Sequence, residues 1–466
     1  MSKGGLIVYS RERLMCCLYF LEDYIMSAMR ANPNEKFEKL ALDGGEPVRH
    51  KPLPLEFPGG HFIDHEEIDA VCCVLKRKSP FRYYGFERTD ETDLFENQYA
   101  EYCRRKYALG VSSGTAALSI SLAALGVGPG QEVLVPGYFW VSSVSAIVRA
   151  GAIPVLVDID ETFCMNPKDF EKKITRKSSV VLLVHMSGAP GRLDEICRIT
   201  SENGLKMLAD CAQANGASFK GKPIGSYGDI AIFSFQLNKN MTAGEGGMIV
   251  CDDKQLYNRI FACHDMGYAR DAAGRLDTND QQYQLWGQGC RMTEITAAMG
   301  RVQLRKLPKI VHKMNTAKYK IRKGLSDIEG IKFRTIIDPE GDSGPFLITI
   351  FPSSDICQKF VKALRCEGIA PPKVGLSNVP MTQWGLHIYY NNSSLVNKTS
   401  ISDDGSPWSH PANKDSNYNY AKGTLTSMDD LISRSSILSI PSVLTDEDIG
   451  DIVCAYHKVA AHIPLK

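Results

Sequence analysis

The 466-residue chain carries almost no net charge: 54 Lys and Arg stand against 53 Asp and Glu, which leaves +1. That balance removes the electrostatic basis for nucleic acid or an anionic membrane as a partner. The chain has 14 cysteines and no CxxC pair. They are scattered, and the adjacent pairs Cys16-Cys17 and Cys72-Cys73 have neither a zinc spacing nor the look of a disulfide framework. Buried thiols in a reducing, cytoplasmic compartment and no metal are the expectation. No segment approaches the ~20 apolar residues of a membrane span. "LMCCLYFL" (14–21) follows Arg11 and Arg13 as a leader would. It is short, runs into Glu22 and Asp23, and has no small-residue cleavage site, so it reads as a helix or a loose extension. There is no internal repeat, and no GxGxxG follows the first strand-like run, which argues against a dinucleotide-binding dehydrogenase.

What is present is a large apolar fraction, 44%, enough for two domains in one subunit. Residues 1–40 form an extension, and 41–90 an arm rich in Gly and Pro followed by a helix over 64–78, with Ile68, Val71, Val74 and Leu75 on one face. From about 105, short apolar runs recur: "YALGVSS", "EVLVPG", "IPVLVDI", "SVVLLVHM", "LKMLADC", "IAIFSF" and "GMIVCD". Their length and β-branched content fit strands buried on both faces, and the helical stretches between the first five imply a mainly parallel sheet covered by helices. The fold class expected is therefore α/β, with a large domain over 91–320 and a helix over 292–315. A smaller α+β domain is expected over 321–466. Within it, 391–423 reads as a long polar loop, and Thr445 with Asp446, Glu447 and Asp448 as a helix start.

Ligands of such sheets sit at the carboxyl ends of the strands. Four segments fall there: "SSGT" (112–115), "PGYFW" (136–140), "ADCAQA" (209–214) and "SFQLNK" (234–239). Gly114 and Thr115 open an apolar helix and suit a phosphate, although such caps are usually only caps. Asp210 directly follows a buried run, so it needs a partner, catalytic or structural. Trp140 has an ordinary core-packing reading. Lys239 is harder to explain away, since lysine is rarely buried without a partner or a task. Together, an amine for a carbonyl, a carboxylate for a pyridine nitrogen and a helix start for a phosphate meet the requirements of pyridoxal 5'-phosphate.

The blocks "SSGTAAL", "GVGPGQEVLVP", "GAIPVLVDID", "DCAQANGASFKGKPIGSYGDIAIFSF", "LNKNMTAGEGG" and "RMTEITAAMGRVQLRKL", in this order, resemble the DegT/DnrJ/EryC1/StrS sugar aminotransferases from about 42 to the C-terminus, apart from the 391–423 loop. The resemblance implies a fold-type-I pyridoxal phosphate transferase: a seven-stranded, mainly parallel sheet in a three-layer large domain, working as a homodimer with sites at the interface. It makes Lys239 the imine lysine and Asp210 the partner of the pyridine nitrogen, and takes Gln213 to the ring hydroxyl. It puts Gly114, Thr115 and Ser234 on the phosphate, and Trp140 on the ring. His185 is a possible near-site residue or a packed histidine. The implied activity moves an amino group from glutamate or glutamine to a keto or aldehyde group of a sugar, sugar acid or cyclitol, with ping-pong kinetics. The alternatives are a dehydratase, for which the family uses histidine in place of Lys239, and a non-catalytic cofactor-binding protein. Where the family usually carries an Asn that reaches across the dimer, this chain has Gly289; Gln288 or a backbone amide would have to substitute. "FRYYG", "VHMSG" and "DPEGDSGPFL" are similar to the branch with eight-carbon (8-amino-octulosonate) sugar-acid transaminases, close to keto-inositol aminotransferases. Arg82, Arg434 and the "HIYYNN" loop with Tyr390 are the substrate-facing candidates there.

Overall fold

The computed structural model describes residues 39–280, 283–370 and 378–466. The expected extension thus lies outside the described residues up to position 38. The seven apolar runs all become strands: β1 Tyr107–Val111, β2 Glu132–Pro136, β3 Ile153–Val157, β4 Ser178–Val184, β5 Lys206–Asp210, β6 Ile230–Ser234 and β7 Gly247–Cys251. They form one sheet in the order β1-β7-β6-β5-β4-β2-β3. β2–β3, β2–β4, β4–β5 and β5–β6 are parallel, and β7 runs antiparallel to both of its neighbours. All residues of β2, β3, β6 and β7 are buried, which is why their sequences are continuously apolar rather than alternating.

Three layers follow. On one face, α3 (Gly114–Ala124), α4 (Ser142–Arg149) and α7 (Lys254–His264) pack Leu118, Leu122, Ile147 and Ile260 against Val133, Leu182, Leu208 and Ile232. On the other, α2 (Glu91–Cys103), α6 (Leu193–Glu202) and α8 (Glu294–Gly324) pack Phe95, Tyr99, Ile196 and Leu307 against Leu134, Val181, Ala209 and Ala231. The expected α/β class with a mainly parallel seven-stranded sheet is what the chain builds.

α8 is longer than its sequence pattern indicates. It continues through Pro308 because its second half has its own core to fill: Ile310, Met314, Ala317 and Ile321 pack against α9 (Ser354–Cys366) and α11 (Asp446–His462). Those helices cover a four-stranded antiparallel sheet in the order β8-β9-β11-β10: β8 Lys332–Phe333, β9 Phe346–Ile350, β10 Asn378–Pro380 and β11 Ser435–Ser439. α11 opens on a capping box made by Thr445 and Asp448.

Two elements depart from expectation. The helix over 64–78 forms as α1 (His65–Lys76), but it turns Val74 and Glu67 inward and leaves Ile68 60% and Leu75 54% exposed. Glu67 accepts from Gln303 and Lys306 of α8, and that polar docking sets the rotation of the helix. The polar stretch 391–423 is a docked strap rather than a free loop. Asn413 receives Gly130 N–H and donates to Gly151 O, Ser416 and Tyr418 donate to the buried Glu132, and Tyr420 Oη donates to Pro154 O. These contacts lie along β2 and β3 at the sheet edge. Among the described residues, no helix is long and apolar enough to cross a membrane, and no group of His, Cys, Asp and Glu is placed to hold a metal.

Candidate active site at the carboxyl edge of the sheet

β1, β2, β5 and β6 each deliver one part of the site at the carboxyl edge. After β1, Ser113 caps α3 by accepting from Ala116 N–H, which leaves the first-turn amides of Gly114 and Thr115 pointing out of the helix start. Ser234, the last residue of β6, lies against that start. A Cβ on Gly114 would come within 2.8 Å of Ser234 Cβ, so glycine is what lets the helix end approach the strand end. Thr115 Oγ1 meets Ser142 Oγ at 2.7 Å.

Asp210 ends β5 and is 4% exposed. Its Oδ1 accepts from Ala212 N–H at 3.0 Å and its Oδ2 from Ser143 Oγ at 3.1 Å. Burial raises its pKa, against the pull of those two donors and of Lys239. Lys239 follows β6 and is half-buried. Burial lowers its pKa, while the charges of Asp210 and Glu245 act the other way. Among the described residues no acceptor hydrogen-bonds or ion-pairs with its Nζ. The site thus holds a buried carboxylate and an amine, each under-compensated, whose fields act on one another without a salt bridge.

Trp140, beyond the end of β2, is 43% exposed, so its core-packing reading fails. Its ring meets that of His387 at 4.7 Å between centroids. Gln213 is fixed at both ends of its amide: Oε1 accepts from Ser187 N–H at 3.0 Å, and Nε2 meets His387 Nε2 at 3.2 Å. His387 Nδ1 is bound to Trp384 O at 2.8 Å, and burial lowers the imidazole pKa to about 4, so the ring is neutral at pH 7. Sequence reasoning missed Ser143 and did not single out His387. His387 lies in the "HIYYNN" segment, which reaches the site by pairing with the strand-end loop: Phe139 N–H donates to His387 O, Tyr389 N–H to Gly137 O, and Tyr138 bridges Ile388. Only the polar and aromatic character of that segment signalled it.

The remaining candidates are placed elsewhere. Burial lowers the His185 pKa to about 3, both of its ring nitrogens lack hydrogen-bond partners, and it lines a small cavity with Cys164, Leu183 and Ile196. Arg82 is 3% exposed and bound to Glu96 at 2.9 Å, with its Nε and Nη1 buried and unpartnered. Arg434 is held by Asp430 at 2.9 Å and by Phe351 O at 3.2 Å. The Tyr390 hydroxyl is buried without a partner, and Lys422 Nζ stands 5.2 Å over its ring. Gly289 has φ +67, a left-handed value that glycine and asparagine both adopt readily, and nothing lies within 3.8 Å of where its Cβ would be.

Comparison with known proteins gives a consistent picture. The family model described as the DegT/DnrJ/EryC1/StrS aminotransferase family matches residues 63–379. A GDP-perosamine synthase of Escherichia coli O157:H7 is 42% identical over 45% of this chain and 56% of its own length. An L-glutamine:scyllo-inosose aminotransferase of Streptomyces griseus is 44% identical over 46% of this chain and 50% of its own. The chain thus matches about half the length of these curated relatives. The solved structure of an aminotransferase from Psychrobacter cryohalolentis superposes with a TM-score of 0.72 at 26% identity, covering 89% of this chain and 100% of that one.

Proposed function

Because the chain belongs to the DegT/DnrJ/EryC1/StrS aminotransferase family, we propose that it is a pyridoxal 5'-phosphate-dependent aminotransferase. It would move an amino group from glutamate or glutamine to the keto group of a sugar or cyclitol. The observation that carries this is Lys239: a half-buried amine with no acceptor among the described residues, coupled to the buried Asp210.

The residues fit the cofactor. The glycine contact at Gly114 keeps open a cradle of amides, with the Ser234 hydroxyl beside it, suited to a phosphate. Among the described residues no cation forms a salt bridge with Asp210, and a protonated pyridine nitrogen would supply one. The face of Trp140 is free to cover a ring. When bound, the cofactor supplies an aldehyde for amine exchange and an electron sink for the electrons released at the substrate carbon.

The chain supplies the rest. Burial favours the neutral form of Lys239, so Nζ can bond to a carbonyl carbon and, when free, take and return a proton, a role typically worth ~10²–10⁴ in rate. Ala212 N–H and Ser143 Oγ keep both oxygens of Asp210 in place, so its charge is pre-oriented. Gln213, held by Ser187 and His387, presents a fixed amide edge. Trp140 packs its ring against His387. The lysine at 239 speaks against the dehydratase alternative, and the electrostatic coupling of Lys239 and Asp210 against a merely structural cofactor protein.

Arg82 and Arg434, the arginines considered for an acidic acceptor, are engaged by Glu96 and Asp430. Within the proposal this favours an uncharged keto sugar or cyclitol over a sugar acid. A homodimer in a cytoplasmic setting completes the reading: Ile68, Leu75, Phe86 at 91% and Trp286 at 96% exposure are large apolar side chains left uncovered in one subunit.

The test is spectroscopic. Purified protein with pyridoxal phosphate should show the absorbance of the lysine-bound cofactor, and glutamine or glutamate should convert it to the aminated form. A panel of keto sugars and keto-inositols should restore the first band. Absence of any band shift with both donors would overturn the aminotransferase reading.

A further inference from the structure

Arg334, one residue beyond β8, is 3% exposed, and no carboxylate among the described residues pairs with it. Its five N–H donors go to one fan of acceptors. Nε donates to Thr162 O at 2.6 Å; Nη1 to Met186 O at 2.8 Å and Ser187 O at 3.4 Å; Nη2 to Ala189 O at 2.7 Å and Cys164 Sγ at 3.3 Å. A buried guanidinium without a counter-charge is costly, and an apolar side chain of the same volume would generally fill such a place at less cost. The acceptors give the reason for an arginine. Ser187 has φ +56 and ψ +29, and Gly188 has φ +88, so two successive residues are left-handed and the carbonyls of 186, 187 and 189 converge on one point. Left-handed backbone at a non-glycine residue is strained and persists only where its surroundings hold it. Arg334 provides that hold, with Ser343, which donates twice to Gly188 O.

The same turn acts on the site from its other side. Ser187 N–H is the donor that fixes Gln213 Oε1, Ser187 Oγ meets Tyr138 Oη at 3.1 Å, and Gln213 in turn meets His387. We propose that Arg334 is a positioning residue: by gathering the carbonyls of 186, 187 and 189 it sets the Ser187 amide, and through it the orientation of the Gln213 side-chain amide at the cofactor edge. This rests on the reading of Gln213 given above. It also gives the small domain a grip on the site, since Arg334 is bound to β9 through its own N–H to Ile348 O.

The experiment uses the full chain with bound cofactor. It compares wild type, Arg334→Met, Arg334→Lys, Gln213→Ala and the Arg334→Met/Gln213→Ala double variant. Two readouts are taken: the pH midpoint of the lysine-bound cofactor band, and the ring-nitrogen NMR shifts of His387 in histidine-labelled protein. Arg334→Met should move both in the direction of Gln213→Ala and lower kcat about tenfold to a hundredfold, as a small misplacement does. The double variant should move no further than Gln213→Ala alone, because the two residues act in one chain. Arg334→Lys, which keeps the charge but not the fan of donors, should shift both readouts part of the way and serves where the methionine variant does not fold. Additive effects, or readouts equal to wild type in a folded variant, would overturn the proposal. A wild type with no cofactor band would remove the cofactor reading alone, and the His387 shifts would still decide the link from Arg334 to Gln213.

Discussion

The packing around the four-stranded sheet and the carboxyl edge of the seven-stranded sheet treat a buried lysine in opposite ways. Lys318 and Lys458 are 2% and 4% exposed. Each has its own carboxylate: Asp342 for Lys318, and Glu367 at 2.8 Å for Lys458, which also donates to Glu46 O. There the cation is a structural tie that holds arm, helix and strand together. Lys239 is less buried and has no such partner, and the nearest field that favours its charge, Asp210, is itself short of a counter-ion. A folded chain leaves a pair in that condition where another molecule is to complete it.

The comparison can be broken or sharpened, starting with the largest effect. Lys239→Ala should reduce turnover by at least about 10³-fold and abolish the lysine-bound cofactor band while leaving thermal stability close to wild type. A cofactor band that survives, or a collapse of stability, would erase the distinction between the two kinds of lysine. Lys318→Met should do the reverse: it strands Asp342 and should cost about 3–5 kcal/mol of stability, with activity per folded molecule kept, as read by denaturant titration alongside turnover. Asp210→Asn keeps the shape and removes the charge; a loss of about 10²–10³ in kcat is expected, with Ser143 and Ala212 still holding the side chain.

Acid should then unsettle the protein through its buried histidines. The folded-state pKa values of His387 and His185 lie at about 4 and about 3, below the ordinary 6.5, so the unfolded chain binds protons first. Stability should be complete above pH ~6.5 and fall as pH drops towards 4, by up to about 1.4 kcal/mol per pH unit for each ring. His185→Leu should flatten that slope in acid denaturation; an unchanged slope would mean His185 is not one of the groups. The smallest effect is expected from Gly289→Asn. The backbone there already suits asparagine and the space is open, so the variant should fold as wild type and hold the cofactor a few-fold tighter in equilibrium dialysis if a dimer partner brings a phosphate within reach.

Much of this was legible in the sequence because it is local. The seven strands are continuous apolar runs, and Gly114, Asp210, Ser234 and Lys239 sit at their ends, where chain direction alone dictates position. Gln213 came only with the family resemblance. What escaped depends on packing between distant segments. His387 arrives by a short pairing with the loop after β2, 174 residues from the Gln213 it touches. Arg82 carried the right chemistry for an acidic ligand, but Glu96 lies one helix away and takes it. Helical periodicity found α1 without its rotation, because a polar contact of Glu67 rather than apolar burial set it. Polar composition made 391–423 look free, whereas its anchors are three hydroxyls and an amide that fit a single receptor surface.

That strap has a consequence for how the protein is made. β3 is the outermost strand on its side of the sheet, and Pro154 within it already lacks one ladder donor. Its cover arrives with Tyr420, 266 positions later in the chain. During synthesis the nascent seven-stranded sheet would present an apolar, unpaired border to solvent until the strap had left the ribosome, the stage at which edge-to-edge aggregation is favoured. A truncation ending near residue 390 should therefore be recovered in inclusion bodies, even though it retains every strand of the main sheet.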